Sequence, residues 1–478
     1  MKHTKIVATI GPASESREVL RQMIEAGLNV VRLNFSHGEY EWHKTIIDTV
    51  RGLSEELGRP IAILADIQGP RIRLHVTQEL KVMQGDTLIV SDIAYQKSLA
   101  PEACEKAIFL DQPHMSDDIA LGHLLLIEDG LLQLRVVSKE AGILHTEVLN
   151  DGLIKSRKGV NLPDSKINLP VLTEKDKRDL RFVVTEGVDY IGLSFVGSAE
   201  DIAWVREEMH KAMPGVSDGE LPKIVSKIER KEAMKNLDAI IEVTDAVMVA
   251  RGDLGIEMPE SEVVLLQKEI IAKSMKRAKP VIVATQMMKS MTENPRPTRA
   301  EVSDVTNAVI DHADAVMLSE ESAMGKYPVE TIAMMTEILQ KTEQSPFDDV
   351  REAMPTQTDS SAYSALVRSI YELTLSFEAK AVLLLSMSGL TARLMSHFRP
   401  DAHLFAATNV RKTWNQLALV WGVDAYLFEG DNDLDTFTDR LAQSAKADGR
   451  LASGDKIVVC RGKSADAELQ LVGMKEVA

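Results

Sequence analysis

Residues 223–255 read KIVSKIERKEAMKNLDAIIEVTDAVMVARGDLG. A short run of buried type, KIVSKI (223–228), leads through a helical stretch to a second one, AVMVA (246–250). Both runs end on residues able to do chemistry, Lys227 and Glu229 after the first and Asp253 after the second. A buried strand, a helix and another buried strand form the repeating unit of parallel α/β folds. The same rhythm extends outward through IVATI (6–10), VVRLNF (30–35), IAILADI (61–67), YIGLSF (190–195), PVIVA (280–284) and AVMLS (315–319). Eight such runs alternating with helices predict an α/β fold built on a (β/α)8 TIM barrel, with an open doubly wound sheet as the competing arrangement. Ser14 or Ser16 opens one helix that Gly27 ends, and Thr173 with Asp176 and Thr298 with Glu301 have the spacing of capping boxes.

The rhythm breaks between the third and fourth runs. Residues 71–168 carry short β-like runs, DTLIV, HLLLIED and LQLRVVS, between Gly and Asp turns, which predicts a β-rich lid inserted in a βα loop. The barrel is then discontinuous, 1–70 and 169–344. The polar, Pro-containing segment SPFDDVREAMPTQTDSS reads as a linker into an α/β domain at 345–478, with strands expected at AVLLLS, AHLFAAT, AYLFEG and KIVVC. With 55 Lys and Arg against 72 Asp and Glu, the 478-residue chain has a net charge of −17. That balance argues against nucleic-acid and anionic-membrane binding, which draw on clustered cations, but leaves room for a local cationic pocket. No run approaches a membrane span, MKHTKIVATIGP lacks the layout of a signal peptide, and two cysteines make no disulfide framework, so a cytoplasmic location is expected.

Barrel strands converge at their carboxyl ends, so the polar residues ending these runs should be neighbours. Arg32, Asn34 and Ser36 share one face of the second strand, which suits either a ligand or ion site or a self-satisfied polar plug. Lys227 and Glu229 could be an ordinary ion pair. With Asp253 on the same rim, Glu229 also suits Mg2+, which takes one or two carboxylates and completes its shell with substrate oxygens and water. A Lys beside such an ion fits phosphoryl transfer, where positioning and charge neutralisation do most of the work. Thr285 is either a cap or a group that orients substrate and relays a proton. Arg71 and Arg73 are either solvated at a domain junction or placed for bidentate phosphate contact. In the last domain Ser386, Ser388, Gly389 and Thr391 suit an anion at a helix start or a tight turn.

These residues lie within TKIVATIGPAS (4–14), RLNFSHG (32–38), KGVNLP (158–163), LTEKD (172–176), SKIE (226–229), ARGDLG (250–255), ATQMM (284–288) and NPRPTRAEVSDV (294–305). In these motifs, and over nearly its whole length, the chain resembles the pyruvate kinase family. The resemblance implies a barrel, lid and effector domain, a homotetramer, and transfer of the phosphoryl group of phosphoenolpyruvate to ADP to give pyruvate and ATP. It implies Glu229 and Asp253 as Mg2+ ligands, with Mn2+ as a substitute, and Lys227 beside the moving phosphoryl group. Arg32 would contact phosphate, Arg73, Asn34 and His37 the nucleotide, Thr285 the enolate, and the amides near Gly252 and Asp253 the substrate carboxylate.

Many family members hold K+ with residues matching Asn34, Ser36, Asp66 and the carbonyl of Ile67, and carry Glu where this chain has Arg71. Members that work without K+ usually have Lys there, with Leu and Gln at the positions of Ile67 and Gln68; this chain has the Gln, and a cation that is Arg. K+-independent activity is therefore expected, with Arg71 in place of the ion. The loop SMSGLT resembles the family's effector loop, but CRGKSADAELQLVGM lacks the Gly-rich, Trp-containing loop of fructose-1,6-bisphosphate-activated relatives, so a sugar phosphate or nucleotide is expected. Two other classes fit part of the pattern: a Mg2+-dependent lyase acting through an enolate, and a regulator that keeps the fold without the chemistry.

Overall fold

A computed structural model describes residues 2–98, 100–112, 114–140, 142–165, 170–348, 362–428, 434–461 and 471–478. Most of the expected linker, the lid's carboxyl boundary at 168 and much of CRGKSADAELQLVGM lie outside these residues. Eight parallel strands close a barrel: β1 (Lys5–Thr9), β2 (Val30–Asn34), β3 (Ala62–Ile67), β4 (Tyr190–Leu193), β5 (Lys223–Ile228), β6 (Ala246–Ala250), β7 (Val281–Ala284) and β8 (Ala315–Leu318). Every expected barrel run forms one of these strands, and closure excludes the open sheet.

Strand alternation divides the residues between two cores. Ile6, Val31, Ile63, Ile191, Ile224, Val249 and Val283 face the helical jacket. Val7, Val30, Leu64, Val225, Met248 and Ile282 fill the interior, and that inner core continues onto Ala418 and Leu419 of the last domain, which close the amino-terminal end. Two residues further along each strand the same inward face reaches the opposite rim. There it presents Arg32 after Val30, Asp66 after Leu64, and Lys227 after Val225.

The helices begin as their sequences require. Thr173 accepts from the Asp176 amide and Thr298 from the Glu301 amide, each in a reciprocal capping box, and Ser16 accepts from the Val19 amide. The Asp176 carboxylate also takes the Gly69 amide, 3.2 Å away, tying the exit of β3 to the first helix after the insertion.

The insertion forms a seven-stranded sheet with a two-stranded partner between Leu74 and Asn161, around its own core of Leu88, Val90, Leu125, Leu134 and Leu144. The last domain holds a five-stranded sheet. Its four expected strands are Ala381–Leu385, His403–Thr408, Val423–Leu427 and Lys456–Arg461; the fifth, Leu471–Glu476, pairs antiparallel at the edge and was not expected.

Candidate active site

At the carboxyl rim a chain of charges runs across three strands. Lys227 Nζ lies 2.7 Å from Glu229 Oε1 and 3.3 Å from Asp66 Oδ1, and donates to Ser194 Oγ at 2.8 Å. Asp66 Oδ2 in turn accepts from Arg32 Nε and Nη2, both at 2.7 Å, while Arg32 Nη1 donates to Thr9 Oγ1 at 2.8 Å. Gly192 sits between β3 and β5, and a Cβ there would lie 3.2 Å from Asp66 Oδ1. The glycine thus leaves the carboxylate room to face Lys227.

These charges are held out of water. Glu229 is 2% exposed and the Lys227 side chain 12%. Burial opposes the ammonium charge on Lys227, but Asp66 and Glu229 outweigh it and hold its pKa above the ordinary lysine value. Burial likewise raises Asp66, and Lys227 and Arg32 reverse the sign, so its carboxyl sits below the usual range. Glu229 goes the other way. Burial, with the negative charge of Asp253 added, pushes its carboxyl up despite the pull of Lys227 and the Phe195 amide. The charge of Asp253, from the helix Arg251–Glu257, also acts on both Lys227 and Glu229.

That donor set fits a divalent cation. A carboxylate made costly by burial and by a second carboxylate gains from added positive charge. Among the described residues no group of three or more His, Cys, Asp or Glu converges on one point, so protein ligands alone would not complete a shell. A metal that shares its coordination with substrate oxygens and water needs no more than the two.

Beside Asp253 the chain at the end of β7 bends sharply. Thr285 (φ 71°) and Gln286 (φ 55°) are consecutive residues in the left-handed region. Thr285 Oγ1 accepts from the Gly252 amide at 2.9 Å and donates to the Ala284 carbonyl at 2.7 Å. A cavity of about 760 Å3 opens over Gly252, Asp253, Thr285 and Glu321, with Arg71 and Asp129 on its lid side; a second, of about 390 Å3, lies between Phe195, Asn161, Glu257 and Asp253. Asp253 borders both.

Two stretches of the chain match family models: residues 1–332 match "Pyruvate kinase, barrel domain" and residues 364–470 match "Pyruvate kinase, alpha/beta domain". The chain belongs to the pyruvate kinase family. Relatives bearing the name pyruvate kinase include one from Geobacillus stearothermophilus, 42% identical over 96% of this chain and 78% of the relative. One from Bacillus licheniformis is 40% identical over 98% and 79%, and one from Staphylococcus epidermidis 39% over 97% and 78%. The chain is therefore a phosphotransferase of this family. Among its described residues no helix is long and apolar enough to cross a membrane.

The expected residues do not all gather at the rim. Arg32, Asp66, Lys227 and Glu229 form one network, and Gly252, Asp253 and Thr285 adjoin it. Asn34 Oδ1 accepts from the Ser36 amide, and His37 is exposed beyond them. Arg73 is drawn to the base of the lid, where its guanidinium donates to the Arg157 carbonyl at 3.1 Å. Arg71 pairs with Asp129 of the lid at 3.3 Å, and the cations on Asp66 are Arg32 and Lys227. In the last domain Ser386 and Thr391 are buried, Ser388 is exposed, and Gly389 (φ 73°) packs on Leu417 and Thr413 as the turn into the helix Leu390–His397.

Two residues at the site were given no role from sequence. Ser194 bridges Lys227 and the Ile67 carbonyl, to which its hydroxyl donates at 2.8 Å. Its signal was present, a lone polar group ending the buried run YIGLSF. Arg251 binds the bend at Thr285, a contact that nothing in ARGDLG marks.

Proposed function

We propose that this enzyme transfers the phosphoryl group of phosphoenolpyruvate to ADP, giving pyruvate and ATP, at the rim formed by β3, β5 and the helix Arg251–Glu257. The observation that carries this reading is Lys227, an ammonium group 2.7 Å from Glu229 and 3.3 Å from Asp66 that also feels the charge of a third carboxylate, Asp253. Mg2+, or Mn2+ in its place, held by Glu229 and Asp253 would supply charge neutralisation for phosphoryl and enolate oxygens. Lys227 stabilises the phosphoryl group in flight from a fixed position, so little reorganisation is needed as charge moves. Arg32, oriented by Asp66 and Thr9, turns its fork toward a phosphate oxygen. The Gly252 amide, which Thr285 Oγ1 occupies here, receives the substrate carboxylate together with that of Asp253. Thr285 supplies the proton that converts the enolate to pyruvate. Nucleotide phosphates enter from the lid side toward Arg73, with Asn34 and His37 near the nucleotide.

Activity without K+ belongs to the same proposal. Its support is that Asp66 is paired with two protein cations, Arg32 and Lys227, and that position 71, Glu in K+-requiring relatives, is here an Arg, paired with Asp129. The loop Ser386, Ser388, Gly389 and Thr391 takes a sugar phosphate or nucleotide effector in a cytoplasmic homotetramer, with the lid spanning 71–168, the barrel 1–70 and 169–344, and the effector domain 345–478. The test is a steady-state assay of pyruvate formation from phosphoenolpyruvate, ADP and Mg2+, with and without K+, across sugar phosphates and AMP. ADP-dependent turnover that persists in K+-free, Na+-free buffer is expected. Pyruvate formation independent of ADP would point to a lyase, and collapse of the rate without K+ would overturn the role given to Arg71.

A further inference from the structure

Arg251 opens the helix that presents Gly252 and Asp253, but its side chain turns back across the rim to the end of β7. Its Nη2 donates to the Thr285 carbonyl at 2.7 Å and contacts Met287 Sδ at 2.9 Å; its Nε donates to the Ala284 carbonyl at 3.3 Å. The remaining arm, Nη1, is fixed by Asp304 Oδ1 at 2.7 Å, from the helix Arg299–Ile310. The side chain is 11% exposed, so this fork is a built feature of the rim and not a surface contact.

Those carbonyls belong to an unfavourable conformation. A non-glycine residue in the left-handed region costs on the order of 1–2 kcal/mol, and Thr285 and Gln286 adopt it consecutively. At the bend the guanidinium donates to the Ala284 and Thr285 carbonyls at once. Ala284 O also accepts the Thr285 hydroxyl, so Arg251 and that hydroxyl share one acceptor. A lysine carries its three donors on one nitrogen and cannot span the positions of this fork.

We propose that Arg251 is a positioning residue for proton delivery: by clamping the Ala284–Thr285 turn against Asp304 it sets the reach of the Thr285 hydroxyl from the Gly252 amide. The inference rests on the role given above to Thr285. In that step the Thr285 O–H bond breaks as a C–H bond forms at the methylene carbon of the enolate, and solvent returns a proton to the hydroxyl. When substrate carboxylate takes the Gly252 amide, Thr285 loses one of its two hydrogen bonds, and the clamp is what keeps the freed hydroxyl over the reacting carbon. Misplacement by about 1 Å is enough to cost on the order of 100-fold in rate.

The experiment compares Arg251→Met, Arg251→Lys, Thr285→Val and the Arg251→Met/Thr285→Val double variant in the full-length enzyme. It measures kcat and KM for phosphoenolpyruvate, the exchange of pyruvate methyl protons in deuterated water with Mg2+ and ATP, and the unfolding midpoint. Both Arg251 variants should lose on the order of 100-fold in exchange and kcat, with KM held within about threefold, since an interaction felt after binding moves kcat alone. The double variant should exchange no more slowly than Thr285→Val, because the two residues act through one hydroxyl. Should Arg251→Met fail to fold, Arg251→Lys keeps a cation against Asp304 and carries the test. Wild-type exchange in Arg251→Lys, or additive losses in the double variant, would overturn the positioning role. Wild-type exchange in Thr285→Val would instead overturn the role of Thr285 itself.

Discussion

Lys227 stands between two buried carboxylates, and its surroundings decide its charge state. Burial works against its charge; Asp66 and Glu229 outweigh burial and favour the ammonium ion. Removing one member of a buried charge network leaves the others uncompensated, at a cost of about 3–5 kcal/mol. Lys227→Met should therefore lose stability of that order in denaturant unfolding without ligands. Its kcat should fall on the order of 10²–10³-fold, the loss that follows removal of one preorganised charge-stabilising donor. A variant as active as the parent would remove Lys227 from the mechanism. Alternation along a strand made this residue legible beforehand, since Arg32, Asp66 and Lys227 each follow an inward apolar residue by two. Arg71 was not legible in the same way. It follows the strand on a loop, where no periodicity fixes direction, and Asp129, 58 residues away in sequence, draws it to the lid. Ser194 and Arg251 act through hydrogen bonds to carbonyls at strand ends, and sequence carries no mark of which carbonyls a bend leaves free.

At the scale of elements, the eight barrel strands could be read because both their faces are buried, one against helices and one in the interior. The edge strand Leu471–Glu476 is mostly exposed, and LVGMKE has neither a continuous apolar run nor clean alternation, so nothing in it announced a strand. Helix starts were legible where a side chain does the capping. Glu301 shows how much one such residue can hold: besides closing the box with Thr298, its carboxylate accepts the Ser290 amide at 2.7 Å, tying the turn after β7 to the helix that carries Asp304. Thr298→Ala should cost about 1 kcal/mol in urea unfolding. It should not raise KM for phosphoenolpyruvate, because the Glu301 contact to Ser290 survives. An unchanged unfolding midpoint would mean that the box contributes nothing there.

Across the whole molecule, the barrel floor rests on the last domain. Lys5 Nζ donates to the Val423 carbonyl at 2.9 Å, Tyr190 Oη to the Gln416 carbonyl at 2.7 Å, and Arg399 pairs with Asp314 at 3.0 Å. Lys223, at the floor end of β5, borders a small cavity with Arg393, Thr413 and Gln416. Burial, and then Arg393, Lys412 and Lys279, depress its pKa to about 7 against the partial support of Asp245. From there up to the ordinary lysine value of about 10.4, the unfolded chain binds more protons than the folded one. Stability should thus rise with pH across that window, and the penalty should be fully present below it. Lys223→Met removes the titration, so the variant's advantage in thermal midpoint should be largest near neutral pH and shrink as pH rises. A gap that stays constant with pH would contradict this account of the domain junction.

The proposed rim chemistry requires Glu229 and Asp253 to share one divalent ion beside Lys227, and Mn2+ titration followed by electron paramagnetic resonance, with phosphoenolpyruvate present, tests this most directly. The parent enzyme should bind Mn2+. Glu229→Gln and Asp253→Asn should each weaken binding by at least the roughly 10- to 100-fold that loss of a mere outer-sphere partner causes. Folded variants that bind Mn2+ as tightly as the parent would contradict the account.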